Sequence, residues 1–290
     1  MRVLVLGGTR YFGKRLVQNL LQEGSEVWTL SRGLMADGFG AKVHRLIADR
    51  NDKQAVIRSI GDLQFDAVVD QICMTSQQAE DAIQIFKGKT DYYLMTSTVS
   101  VYDFGADLKE EAVDPRAYQA RVPTNPMEEY GEGKRAAESV LATRAPFRAG
   151  FARFPVVLGE DDYTRRLHEQ IIRVKQGTPI YYPNLDAHFS FITSADAAKS
   201  LLWLLKNKKS GPYNFAAQDP IQMKDLIKMI EETVGMKANL LNEPSEKDWS
   251  PFGISQDWYV NVEKAAREGF HAEPIAQWLQ PLINQLDKEV

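Results

Sequence analysis

The sequence predicts an α/β protein: a doubly wound parallel sheet followed by a smaller C-terminal subdomain. Three observations lead there. Through the first 155 residues, short apolar runs alternate with helical patterns, which implies parallel pairing. A glycine-spaced turn, GGTRYFG, follows the first apolar run directly. Beyond Gly159 the alternation falls away and helical patterns dominate.

The elements follow in order. RVLVLG reads as a buried strand. Gly13 to Glu23 reads as a helix with Leu16, Val17, Leu20 and Leu21 on one face and Gly24 as its stop. EVWTLS is a second strand and VHRLIAD a third, with a helix over Asp52 to Ser59. FDAVVDQI is the fourth, followed by a helix over Gln77 to Phe86, and DYYLMTST is the fifth. Asn125 and Pro126 suit an N-cap and a first-turn proline, and Glu128 and Glu129 suit the positive end of a helix running to about Arg144. RAGFARFPVVLG reads as one unbroken sixth strand. RRLHEQIIRVKQG is a helix ended by Gly177, and SADAAKSLLWLLKNKK one capped by Ser194. MKDLIKMIEETVG and PIAQWLQPLINQLDK are the remaining helices, and 240–260 reads as a loop. The cut falls near 155: residues 1–155 bind the nucleotide, and 156–290 are mainly a substrate-binding subdomain, with 188–206 returning to the first unit.

Composition narrows the class. The chain has 290 residues, 44% apolar and 26% charged, ordinary for a soluble globular enzyme. A net charge of −4 argues against a dedicated nucleic-acid binder. Cys73 is the single cysteine, which excludes an internal disulfide. The chain enters a strand pattern at once, and no apolar run approaches the ~18 residues of a membrane span. A cytoplasmic protein without a membrane partner is expected. His44, His168, His188 and His271 are scattered, with no metal-ligand spacing to one another or to Cys73, so no metal is expected.

The turn carries the first chemical signal. Gly7 can take an unusual φ, and Gly13 lets a helix pack closely on the sheet. The helix N-terminus then offers free N–H groups to a pyrophosphate. An NAD site wants a carboxylate roughly 18–20 positions past the last glycine, facing the ribose 2′-hydroxyl. This chain has Ser31-Arg32 there instead, and Arg10 inside the turn. A guanidinium suits a 2′-phosphate, so NADP is the expected cofactor and NAD the alternative.

The second signal is YGEGK. Of eleven tyrosines, only Tyr130 has a lysine four residues on, Lys134. At that spacing the two share a helix face. A tyrosine with a pKa of ~10 is a poor base at neutral pH, and a nearby ammonium favours its ionised form. The helix follows the fifth strand, whose end reads MTSTVSVYD, at the edge where ligands bind in open parallel sheets. The Thr98 hydroxyl would orient a substrate oxygen, Tyr130 would pass a proton, and Lys134 would also hold the nicotinamide ribose.

Taken together, GGTRYFG, TSTVSVY, YGEGKRAAE, RFPVVLGEDD, FSFITSADAAKSL, GPYNFA and NVEKAAREGFHAEP resemble successive motifs of the extended short-chain dehydrogenase/reductases, the NAD-dependent epimerase/dehydratases. The resemblance spans almost the whole length. It implies a Rossmann-type domain, a small C-terminal substrate-binding subdomain and often a homodimer packed through the Tyr-Lys helix. It also implies Thr98, Tyr130 and Lys134 as catalytic residues, and Gly7, Thr9, Arg10, Tyr11, Phe12 and Gly13 against the cofactor. Ser31 and Arg32 would face its ribose, Asp49 and Arg50 would flank the adenine, and Phe154, Pro155 and Val156 would lie along the nicotinamide.

Four departures qualify it. Arg10 replaces the middle glycine, as in an atypical subset related to chloroplast stem-loop RNA-binding proteins. Val99-Ser100 follows Thr98 where sugar-nucleotide dehydratases carry Asp-Glu. Val156 stands where nucleotide-sugar enzymes commonly have asparagine. Gln71-Ile72-Cys73 replaces a small-residue segment after the fourth strand. The expected function is an NAD(P)-dependent reductase or epimerase acting by hydride transfer at a carbonyl or alcohol carbon of a small or sugar-like substrate. The alternative is a catalytically weak nucleotide-binding sensor or RNA-associated protein on the same fold. Asp161-Asp162 is expected to be a solvated loop and Cys73 a buried packing residue. Trp249, Phe252 and Trp258 would line a substrate pocket or pack in the core.

Overall fold

A computed structural model describes residues 1–290. Its central sheet has seven strands, all parallel. Five are β1 (Arg2–Leu6), β2 (Glu26–Ser31), β3 (His44–Ile47), β4 (Ala67–Asp70) and β5 (Tyr92–Thr98). The other two are Arg148–Phe154 and Gly211–Asn214, and the order across the sheet is Gly211–Asn214, Arg148–Phe154, β5, β4, β1, β2, β3. The winding reverses between β1 and β4, and the crevice outside their carboxyl ends is where such sheets take ligands. Leu6 lies level with Leu30 and Asp70, so three strands end together there.

The helices are α1 (Tyr11–Gln22), α2 (Lys53–Ile60), α3 (Ser76–Phe86), α4 (Pro126–Arg144), α5 (Arg166–Gln176), α6 (Ser194–Asn207), α7 (Met223–Val234), α8 (Glu263–Arg267) and α9 (Ile275–Asp287). Because strand side chains alternate, each face of the sheet builds its own core. Val3 and Val5 meet Leu16, Leu20 and Leu201 of α1 and α6. Leu4 and Leu6 meet Ile60, Phe86 and Leu141 of α2, α3 and α4. A third core lies in the C-terminal part, where α5, α7 and α9 enclose Ile171, Phe191, Leu226 and Ile283. It is flanked by a four-stranded sheet in the order Ile221–Gln222, His188–Phe189, Trp258–Val260, Gly105–Leu108. No helix is long and apolar enough to cross a membrane.

Several local expectations are corrected. The sixth strand breaks at Pro155: Arg148–Phe154 stays in the central sheet, while Val156–Leu158 pairs with Phe191–Thr193. Proline has no N–H to continue a ladder, which is why the strand changes sheet there. Thr193, not Ser194, caps α6, accepting from the Asp196 N–H at 2.9 Å. Ser194 is the first helical residue and donates its hydroxyl to Asp161 at 2.7 Å. The return to the central sheet reaches beyond residue 206, because Gly211–Asn214 supplies its outermost strand beside Arg148–Phe154. The 240–260 stretch carries short strands at Leu240–Leu241 and Trp258–Val260. Phe252 and Trp258 pack in the third core, while Trp249 is exposed.

Candidate active site

The phosphate turn forms because two positions need glycine. Gly7 has φ +84°, closed to most side chains. A Cβ on Gly13 would collide with the Gly7 carbonyl and stand 2.7 Å from the Gln71 amide. Without it, α1 lies directly on the ends of β1 and β4. Arg10 is the N-cap and makes no side-chain cap bond, so its side chain leaves the first N–H groups of α1 unpaired. These are the requirements of a dinucleotide pyrophosphate. From the turn an open cleft of about 440 Å³ runs along the ends of β1, β2 and β3. It is lined by Gly7, Thr9, Ser31, Arg32, Asp49 and Arg50, which brings six of the predicted cofactor residues together.

Other turn residues point elsewhere. Tyr11 has φ +52°, and its buried ring donates its hydroxyl to the Val157 carbonyl at 2.5 Å. That side chain ties α1 to the strand after Pro155 and is not free for a cofactor. The Phe12 ring packs on Phe154, 5.7 Å between centroids, so both serve the core. Pro155 is buried and Val156 half-buried, where the strand changes sheets. Arg10 does not line the cleft; its guanidinium stacks over Tyr163 at 5.5 Å. Arg50 is only 5% exposed and is held by Asp70 at 2.8 Å and the Gln78 carbonyl at 2.9 Å, so it forms the cleft floor.

Thr98, Tyr130 and Lys134 converge beyond the carboxyl end of β5. Asn125 caps α4, accepting from Met127 and Glu128 N–H at 3.1 and 3.0 Å. Two glycines then set the helix flush: a Cβ on Gly131 would strike the Ser100 carbonyl, and one on Gly133 would stand 2.6 Å from the Met74 carbonyl. Lys134 is 1% exposed and donates to the Cys73 and Thr96 carbonyls, each at 2.8 Å. Burial lowers its pKa to about 8, against the pull of Cys73, Asp70 and Glu138. Its ammonium stands 5.9 Å from the Tyr130 ring centre. Tyr130 is 43% exposed. Burial raises its pKa, opposed by hydrogen bonding with Thr98 and by the Arg166 charge. Thr98 itself accepts from the Ser100 N–H at 3.1 Å and donates to the Ser100 hydroxyl at 3.2 Å.

With this geometry in view, comparison with known proteins is decisive for the family. A model of the NAD dependent epimerase/dehydratase family matches residues 3–91 and 81–216. The chain belongs to that family. It is 26% identical over 294 residues to the chloroplast stem-loop binding protein of 41 kDa b of Arabidopsis thaliana, covering 91% of this chain and 73% of that protein. Among solved structures it resembles the UDP-glucose 4-epimerase of Thermus thermophilus in complex with NAD, with a TM-score of 0.75 and 18% identity over 100% of both chains. It also resembles the dTDP-glucose 4,6-dehydratase of Bacillus anthracis in complex with NAD, with a TM-score of 0.76 and 16% identity over 100% of this chain and 97% of that one. At such identities the likeness to the solved structures is one of fold.

For a member of this family, three features of the site went unread in the sequence. Beneath the Tyr-Lys pair lies a buried ion pair, Arg153 with Glu138 at 2.6 Å. Glu138 also accepts from the Ser97 hydroxyl at 2.5 Å, and Arg153 bonds the Tyr102 hydroxyl at 2.7 Å. The signal was present: Glu138 lies four residues past Lys134, and Arg153 interrupts an apolar strand. Arg166, at the start of α5, lies close enough to Tyr130 to lower its pKa. The Asp161-Asp162 loop is not simply solvated. Asp161 binds Arg15 at 2.7 Å and Ser194 at 2.7 Å, and Asp162 is buried. Cys73 is buried as expected, and burial, with Asp70 adding to it, pushes its thiol up to about 12.

Proposed function

We propose that the protein is an NAD(P)-dependent epimerase or reductase acting at a carbonyl or alcohol carbon of a small, sugar-like molecule, with NADP favoured over NAD. The observation that carries this reading is the convergence of Thr98, Tyr130 and Lys134 beside the cleft. Lys134 holds the Cys73 carbonyl, and Cys73 lies between two cleft-lining residues, Ile72 and Met74. Gly7, Thr9, Ser31, Arg32 and Asp49 would hold the dinucleotide, which when bound takes up and returns a hydride and carries positive charge in its oxidised ring. The residues supply proton handling. At rest Tyr130 is a neutral phenol, since burial raises its pKa. It is therefore set to donate a proton to a substrate oxygen, with the Thr98 hydroxyl steadying that oxygen. Taking a proton back requires further positive charge nearby, from Lys134 and from the ligand. With Val99-Ser100 after Thr98 instead of Asp-Glu, no acid-base pair for eliminating water stands there, so epimerase or reductase chemistry is preferred to dehydration.

Arg32 is exposed at the cleft where a ribose 2′-phosphate would lie. Calorimetric titration with NADPH and NADH, followed by thermal-shift screening of metabolites with NADPH present, tests the reading. Binding of neither nucleotide refutes it.

The resemblance to a stem-loop binding protein favours a second reading, an RNA-associated protein on the same fold. The net charge of −4 speaks against it. Filter binding of stem-loop RNA across a salt series decides: tight binding with a steep salt slope supports this reading, and none removes it.

A further inference from the structure

We infer that a groove at the outer edge of the central sheet binds a small amphipathic carboxylate, with its apolar body against the sheet and its charge between Arg116 and Arg148. The groove holds about 460 Å³, a size usual for small-molecule sites. It lies at the amino-terminal ends of Arg148–Phe154 and Gly211–Asn214, whereas the cofactor cleft runs along the carboxyl ends of β1, β2 and β3. The two sites share no residue, so the inference does not depend on the dinucleotide reading.

The local sequence makes the groove. Phe147, Ala149 and Phe151 alternate along the chain and so face α4. Further along that face, Arg153 is covered by the segment whose Glu110 and Val113 carbonyls it bonds. Nearer the start of the strand that segment has passed, and α4 has reached its end, so the wall there is Leu141, Ala142 and Ala145. Alanine at 142, 145 and 149, each half-buried, leaves room that a larger side chain would fill. The floor is apolar and closed: Leu141 and Phe151 are each 1% exposed and belong to the core on that face.

Two further observations select the occupant. The first concerns the open edge of the sheet, where a peptide would add as a further strand. Pro212 has no N–H, and its carbonyl accepts from the Lys264 Nζ at 2.6 Å. The Asn214 N–H donates to the Glu110 carboxylate at 2.8 Å. The edge is already occupied, which excludes an added strand. The second is charge. Arg116 and Arg148 line the groove, both are exposed, and neither has an ion-pair partner. Asp114 is the one acidic residue there, and it accepts the Arg116 backbone N–H at 2.9 Å. Two free guanidiniums beside an apolar floor match a carboxylate carried on a hydrocarbon body. The guanidinium N–H groups donate to its oxygens, and the body loses its contact with water.

Octanoate is the probe, with octan-1-ol and octylamine as its neutral and cationic counterparts. Equilibrium dialysis with each radiolabelled compound, at one ionic strength, reads binding to the full chain. The expected result is one octanoate per chain, octan-1-ol bound at least about tenfold more weakly, and octylamine not bound. The double variant Arg116→Gln, Arg148→Gln should bring octanoate down to the affinity of octan-1-ol and leave octan-1-ol unchanged. Ala142→Phe, which fills the groove, should remove both. The two arginines are exposed, so their replacement leaves the core alone, and the double variant decides the matter even where Ala142→Phe lowers the melting temperature. No octanoate binding, equal affinity for octanoate and octan-1-ol, or octanoate affinity that survives the double variant would each overturn the inference.

Discussion

Lys134 offers the sharpest physical test of the site, because its environment predicts a sign as well as a size. The ammonium is buried under α4, and burial holds its pKa at about 8. In the unfolded chain a lysine titrates at ~10.4. Between those values the unfolded state keeps a proton that the folded state has released, so stability rises with pH across the window. Below pH 8 both states are protonated, and the folded state carries the full penalty, about 3 kcal/mol for about 2.4 pH units. Lys134→Met removes the titration. It also removes the two bonds to Cys73 and Thr96, but that loss is a constant offset. Urea unfolding of both proteins at pH 7.5 and 9.5, at one ionic strength, isolates the effect, because every other titrating group cancels. The wild type should gain about 2 kcal/mol relative to the variant on going to pH 9.5. Parallel behaviour, or a gain by the variant, would mean that the ammonium is not desolvated, and the account of how it acts on Tyr130 would fall with it.

Further outcomes are expected. Tyr130→Phe should leave nucleotide binding intact and lower kcat at least a hundredfold once a substrate is found; an unchanged kcat removes Tyr130 from the chemistry. Arg32→Ala should remove most of a preference of about tenfold for NADPH over NADH while leaving NADH affinity nearly unchanged, as read by paired titrations. Glu138→Gln should cost about 3 kcal/mol in urea unfolding, since it strips the partner from a fully buried Arg153. Gly13→Ala should abolish nucleotide binding and lower the melting temperature, because the new methyl collides with the Gly7 carbonyl.

The inner strands of the sheet were legible because they are buried and so read as unbroken apolar runs, as in Val3–Leu6 and Tyr92–Met95. The α4 cap was legible because Asn125-Pro126 states it locally. What stayed hidden depends on contacts distant in sequence. The change of sheet at Pro155 is settled by pairing with Phe191–Thr193, and nothing in RAGFARFPVVLG announces that partner. The inward turn of Tyr11 depends on the Val157 carbonyl, 146 residues away. Arg10 and Arg32 both looked suited to a phosphate, yet Tyr163 draws Arg10 to the other side of the turn. Residue type was readable at each place; direction was not.

The spacing of α4 explains why the two kinds of site residue differ so much in burial. Tyr130, Lys134 and Glu138 fall at intervals of four and so form one stripe along the helix. The stripe descends from the open cleft to the sheet: Tyr130 is partly exposed, Lys134 sealed, and Glu138 completely buried. At its foot Glu138 meets Arg153 and Ser97, the residue before Thr98. A buried ion pair contributes little net stability, but it tolerates little displacement. One residue of slip along α4 moves a side chain by about 1.5 Å and turns it about 100°, which would separate Glu138 from both partners. The same contacts that fix Glu138 therefore fix Lys134 and Tyr130 relative to Thr98. Arg153 extends this hold to the Glu110 and Val113 carbonyls at 3.1 and 2.8 Å, so the segment after β5 is bound into the same network. The position of the proton-handling pair is thus set by charges it never touches in the cleft, on the side of the helix that faces the sheet.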